Sequence, residues 1–109
     1  MLNTTVRDLL NQQINKEFYS AYLYLDFSNY FKAAGLDGFA NWYMVQAQEE
    51  RDHAMLFYTY LQNENVPVTL EAIAKPDKVF ESHMDVLKAG WEHELYVTSL
   101  INDIYSAAY

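Results

Sequence analysis

Glu50 and His53 stand three residues apart, a spacing that puts a carboxylate and an imidazole on one face of an α-helix, close enough to bind the same metal ion. Alone, such a pair is common. Its weight comes from two further acids, Glu17 and Glu94, which sit where the surrounding pattern calls for apolar core. Stripes counted at alternating steps of three and four residues show this directly. One heptad line runs Leu10, Glu17, Tyr24, Phe31, flanked by Val6, Leu9, Ile14, Phe18, Ala21 and Leu25. A second runs Phe39, Tyr43, Gln46, Glu50, His53, Phe57, Tyr60. A third runs Met84, Leu87, Trp91, Glu94, Thr98, Ile101, Tyr105. Burying ionised groups without partners costs several kcal/mol or more each. A sequence that does so on three stripes needs a compensating charge, and a bound cation supplies it.

The elements that must position these residues are long helices, because breakers are sparse: three glycines and two prolines in 109 residues. Helix A is expected over about 5–34, capped by Asn3, Thr4 or Thr5 and stopped at Gly35 in a left-handed conformation. Thirty residues span roughly 45 Å. Helix B is expected over about 37–65, with Asp37 as a cap and Val66-Pro67 as the break. The short turn makes A and B an antiparallel hairpin. A connector over about 66–81, interrupted by Lys75-Pro76-Asp77, is long enough to travel the length of a bundle. Helix C is expected over about 82–109, opened by Ser82-x-x-Asp85, which resembles a capping box, and weakened at Gly90 by about 1 kcal/mol. The crossover makes B and C parallel. Glu17 lies about 12 residues into A, Glu50 about 15 before the end of B and Glu94 about 12 into C, so the three acids share one level.

Composition limits the alternatives. Hydrophobic residues make up 51% of the chain, enough for a core in a single domain or part of one. No apolar run approaches the roughly 20 residues of a membrane span, and the N-terminus does not read as a secretory signal. The absence of cysteine excludes disulfides, thiolate metal sites and a cysteine nucleophile, with cytoplasm the default compartment. A net charge of −8 argues against nucleic acid, whose phosphates need clustered Lys and Arg, and favours cations. Excess acid also serves solubility alone. The ten tyrosines and two tryptophans lack interleaved basic residues and are assigned to packing. Carboxylate oxygens with one nitrogen and open positions suit Fe(II) better than a closed zinc cage.

Three stretches then resemble the bacterial non-haem ferritins: Asn15-Lys16-Glu17-Phe18-Tyr19-Ser20, Ala47-Gln48-Glu49-Glu50-Arg51-Asp52-His53-Ala54 and Ile101-Asn102-Asp103. The similarity runs along the whole chain. It implies an all-α, ferritin-like four-helix bundle of which this chain supplies helices A, B and C, with the fourth helix absent. It implies that Glu17, Glu50 and His53 hold one iron, that Glu50 bridges to a second iron shared with Glu94, and that Tyr24 lies beside this di-iron centre. It also implies ferroxidase activity, with Fe(II) oxidised by oxygen or peroxide and the product stored as mineral in a hollow 24-subunit shell. Glu49 matches an accessory iron position, although an acid beside Glu50 on a helix is more often a solvated side chain. Haem is not expected, because Asp52 stands where a haem-binding methionine belongs, and Met44 and Met55 are read as core or interface residues. His83, His93 and Glu92 fall off the central stripe and are expected at the surface.

A chain that stops after helix C leaves an apolar groove, a feature rarely tolerated in soluble monomers. It is accounted for by a truncated or proteolysed subunit, by a separate chain supplying the missing helix, or by self-association; a fragment of a ferritin subunit is the favoured reading. The competing functional classes are a non-catalytic helical module that self-associates or binds a partner helix, and a di-iron peroxidase of the rubrerythrin type, whose usual cysteine-rich module has no counterpart here.

Overall fold

A computed structural model describes residues 3–108, and three helices account for most of them: α1 (Thr4–Ala33), α2 (Asp37–Asn63) and α3 (His83–Ala108). The last residue expected in helix C, Tyr109, lies outside the described residues. Local chemistry fixes the ends. Asn3 caps α1 by accepting the Thr5 N–H at 2.7 Å. Both α1 and α2 close with the same pair of backbone bonds. Leu36 N–H reaches the Phe31 carbonyl and Gly35 N–H the Lys32 carbonyl; Val66 N–H reaches Leu61 and Asn65 N–H reaches Gln62. That closure requires a left-handed residue, Gly35 at φ 78° and Asn65 at φ 59°.

The start of α2 differs from the expectation. Asp37 is the first helical residue, not the cap; the cap position is Leu36, without a side-chain bond, and Asp37 pairs instead with Lys32 at 3.0 Å. At α3, Ser82 Oγ accepts the Asp85 N–H at 3.2 Å, and the Asp85 carboxylate reaches past Ser82 to the Glu81 N–H at 3.3 Å.

Two apolar clusters clamp the helices at opposite ends. The first joins Leu23, Tyr24, Phe27 and Phe31 of α1 to Ala40, Tyr43 and Ala47 of α2 and to Val86 and Ala89 of α3. The second joins Val6, Leu10 and Ile14 to Leu61, with Ile104 and Ala107 packed against them. The start of α3 therefore meets the start of α2 and the end of α1, so α3 runs parallel to α2 and antiparallel to α1. The connector spans the bundle between Val66 and Val68 in one cluster and Phe80 in the other.

Two asparagines one turn apart hold the connector down. Asn11 Oδ1 accepts the Thr69 N–H and Asn15 Oδ1 the Glu71 N–H, both at 2.8 Å, and each amide donates to the Thr69 carbonyl.

The backbone of α3 comes close to α1 only, and α3 meets α2 through side chains near its start, such as Tyr43 beside Gly90. The stripe Met84, Leu87, Trp91, Ile101, Tyr105 is therefore not the buried face it resembles in sequence. Met84, Trp91, Ile101 and Tyr105 are exposed, while Val86, Ala89, Gly90 and Val97 are buried. Phe39 and Tyr60 of the second stripe and Leu25 beside the first are likewise exposed. A groove of about 750 Å³ opens between α2 and α3, lined by Phe39, Trp42, Tyr43, Leu87, Trp91 and Glu94 among others. Met44 and Met55 are exposed, which removes them from the core. No described helix is long and apolar enough to cross a membrane.

Candidate metal centre

Between the two apolar clusters the interior turns polar. Glu17 is 0% exposed and Glu50 5%, and they face one another from α1 and α2. Small residues permit this approach: Ala47 and Ala54, one turn to either side of Glu50, are both buried. His53, the next turn of α2, completes a group whose ligand atoms all lie within 4.8 Å of one another. Its Nδ1 is 3.9 Å from Glu17 Oε2 and 3.8 Å from Glu50 Oε2. Half of its surface stays open, at 51% side-chain exposure, which gives an ion a way in.

The donor set fits a cation. Glu17 Oε2 and Glu50 Oε2 are buried without a hydrogen-bond partner, and buried unsatisfied carboxylate oxygens are costly. Ionised carboxylates only accept, so these two can bond to each other only through a shared proton or a shared cation. An ion with bonds of about 2.1 Å holds adjacent donors about 3 Å apart, so closure needs an inward shift of under about 1 Å. Burial is the main reason that the Glu50 carboxyl is pushed up to about 9, followed by the Glu17 carboxyl that faces it and the charges of Glu94 and Glu49. A carboxyl raised this far keeps its proton near neutrality.

Glu94 and Tyr24 sit beside this group. Tyr24 Oη donates to Glu94 Oε1, so among the described residues Glu94 is tied to the phenol and stands outside the three-residue cluster. Burial above all, then the Glu94 bond and charge, raises the Tyr24 phenol far above its ordinary value and keeps it a donor. Burial and Glu94 also raise Tyr43. Glu49 is exposed and reaches the site only through its charge on Glu50.

His93 departs from the expected surface position. It is half-buried between α1 and α3, with its Nε2 2.7 Å from Ser20 Oγ and its ring edge-on to Tyr24 at 5.7 Å. Burial, aided by Lys78, lowers its basicity against the opposing pull of Glu94 and Glu17. With the Ser20 hydroxyl proton on the Lys16 carbonyl at 2.9 Å, the Nε2 of neutral His93 carries the proton that joins the helices. Periodicity missed this residue because it favours the groove-facing side of α3; its neighbour relation to Glu94 was the available signal. Gln13 was also missed. It is 2% exposed and donates from Nε2 to Glu17 Oε1 at 2.8 Å, and its only sequence signal is the four-residue step to Glu17. His83, by contrast, is exposed, with Nδ1 3.0 Å from Tyr30 Oη, and Glu92 is exposed.

Carboxylates from separate helices and a Glu-x-x-His pair, converging in the interior of a crossover bundle, define a class of helical metal-handling folds. Residues 7–109 match the family model described as a ferritin-like domain, and the chain belongs to that family. It is 40% identical over 104 residues to a bacterial non-heme ferritin of Campylobacter jejuni, covering 95% of this chain and 62% of the relative. It is 38% identical to a probable bacterial non-heme ferritin-like protein of Haemophilus influenzae, covering 95% and 63% respectively. Among solved structures, Chlorobium tepidum ferritin superposes with a TM-score of 0.95 at 35% identity, covering 99% of this chain and 66% of that one. An open-pore ferritin from Archaeoglobus fulgidus gives 0.94 at 38% identity, covering 99% and 67%. The chain thus spans somewhat under two thirds of the length of these curated relatives.

Proposed function

We propose that the protein takes up Fe(II) at Glu17, Glu50 and His53, promotes its oxidation by oxygen or peroxide, and stores the ferric product as mineral inside a homo-oligomeric shell. The observation that carries this reading is the pair of partnerless buried oxygens, Glu17 Oε2 and Glu50 Oε2, both within 4 Å of His53 Nδ1. The names of the relatives, non-heme ferritins, support iron as the substrate.

Each side chain has a role in this reading. Glu17 and Glu50 bring negative charge to a dry site, where attraction for a dication is strong. Glu50 gives up its proton as the ion enters, and its second oxygen is the bridge to another ion on the Glu94 side. Tyr24 holds Glu94 in place by its hydrogen bond. One nitrogen and few carboxylates leave coordination positions open for the oxidant, which takes one electron from each Fe(II). The resulting Fe(III) is more acidic, prefers bridging oxygen to these ligands, and moves on to the mineral.

Oxidation of about two Fe(II) per subunit, followed by the absorbance of the ferric product, is the expected readout. Glu50→Ala removes the bridging carboxylate and is expected to abolish the fast phase. Unchanged oxidation in that variant refutes the assignment.

The exposed apolar groove between α2 and α3 favours a second reading, a helical module that self-associates or receives a helix from a separate chain. Affinity for a helical peptide with no affinity for Fe(II), Zn(II) or Mn(II) would select it over the first.

A further inference from the structure

Glu17 has two oxygens in different situations. Oε1 accepts the Gln13 Nε2–H at 2.8 Å, whereas Oε2 is buried, partnerless and turned toward His53. Gln13 is itself 2% exposed, so water does not compete for this bond. Both residues belong to α1, one turn apart, and the helix backbone fixes their relative position. Two buried rotamers therefore lock the plane of the Glu17 carboxylate.

We propose that Gln13 is a positioning residue for the metal centre: its amide occupies Glu17 Oε1, presents Oε2 alone to the ion, and so enforces binding through a single oxygen. This rests on the reading of Glu17, Glu50 and His53 as metal ligands. A carboxylate chelating through both oxygens must turn its bisector toward the ion, and in doing so it breaks the Gln13 bond and leaves a buried amide unsatisfied. Holding Glu17 to one oxygen keeps the coordination number low and preserves the open positions that an oxidant needs. A purely structural hydrogen bond predicts something different: lost stability without any change in the coordination of bound metal.

Co(II) is a suitable probe because the intensity of its visible absorption falls as its coordination number rises, with no turnover involved. Titration of the purified protein is compared with Gln13→Met, which keeps the side-chain length but lacks the donor, and with Glu50→Ala. The wild type is expected to give a saturable visible band that Glu50→Ala lacks. Gln13→Met is expected to bind Co(II) about 10- to 100-fold more weakly, or with a clearly weaker band per bound ion, as Glu17 turns. The same affinity and band in Gln13→Met overturns the role of Gln13 while leaving the metal centre intact. No saturable band in the wild type overturns the metal-centre reading and the Gln13 role together. Should Gln13→Met fail to fold, the wild type still decides the matter in a Zn(II)-soaked crystal. Glu17 bound through one oxygen, with Oε1 retained by Gln13, supports the proposal, and a chelating Glu17 refutes it.

Discussion

Replacing Glu50 by Gln separates the stability of the fold from the needs of the site. The shape is kept and the charge removed. In the unfolded chain the Glu50 carboxyl titrates near 4.5, and in the folded metal-free protein it is pushed up to about 9. Between those values the native state holds a proton that the unfolded state has released. Stability therefore falls as pH rises through this window, by up to about 1.4 kcal/mol per pH unit, and is fully recovered below about 4.5. At pH 7 the protein lies about 2.5 units into the window, which corresponds to a penalty on the order of 3 kcal/mol. An amide does not titrate and escapes this penalty. Glu50→Gln is thus expected to be more stable than the wild type at pH 7 by up to about 3 kcal/mol, nearly equal to it near pH 4.5, and flatter in its pH dependence. Urea unfolding followed by circular dichroism, with chelator present and repeated from pH 5 to 8.5, measures both quantities. Adding Zn(II) at one thousand times the dissociation constant is expected to reverse the order, because ligation then stabilises the wild type by about 4.1 kcal/mol. A variant no more stable than the wild type at pH 7, with the same pH slope, refutes the claim that proton retention by Glu50 governs stability in the presence of chelator.

Three other substitutions probe the scaffold. Gly90→Ala improves helix propensity by about 1 kcal/mol, but the new Cβ overlaps Tyr43 Oη and lies 3.3 Å from Cζ. Net destabilisation of about 1–2 kcal/mol is expected in thermal melts, and a rise in melting temperature would contradict the packing. Asn15→Ala removes the acceptor for the Glu71 N–H and a donor to the Thr69 carbonyl. Faster proteolysis within residues 67–80 is expected, with a stability loss of about 1 kcal/mol. Tyr24→Phe frees Glu94 from its hydrogen bond. Slower Fe(II) oxidation with unchanged Co(II) affinity at Glu17, Glu50 and His53 is the expected result, and a loss of that affinity would show that the two parts of the site are not separable.

Long helices, the hairpin, the crossover and the polar level shared by Glu17 and Glu50 were legible in the sequence because each rests on local rules: sparse breakers, capping residues, a left-handed Gly35 and a 3.6-residue period. The acids betrayed themselves by standing in apolar stripes, since hydrophobic periodicity leaves a charged residue conspicuous at a position that will be buried. Which helix faces which is not a local property. Only packing shows that α3 buries Val86 and Ala89 against α1 and the start of α2, leaving Trp91 on the groove, and that His93 reaches Ser20 at a separation of 73 residues. Only packing explains Gly90, a weak point along the helix that makes room for the Tyr43 hydroxyl. The partners that distinguish the oxygens of Glu17, and the tie between Tyr24 and Glu94, belong to the same category. Amino-acid types and spacing determined which groups would be buried; the angles at which three helices meet decided which atoms those groups present to one another.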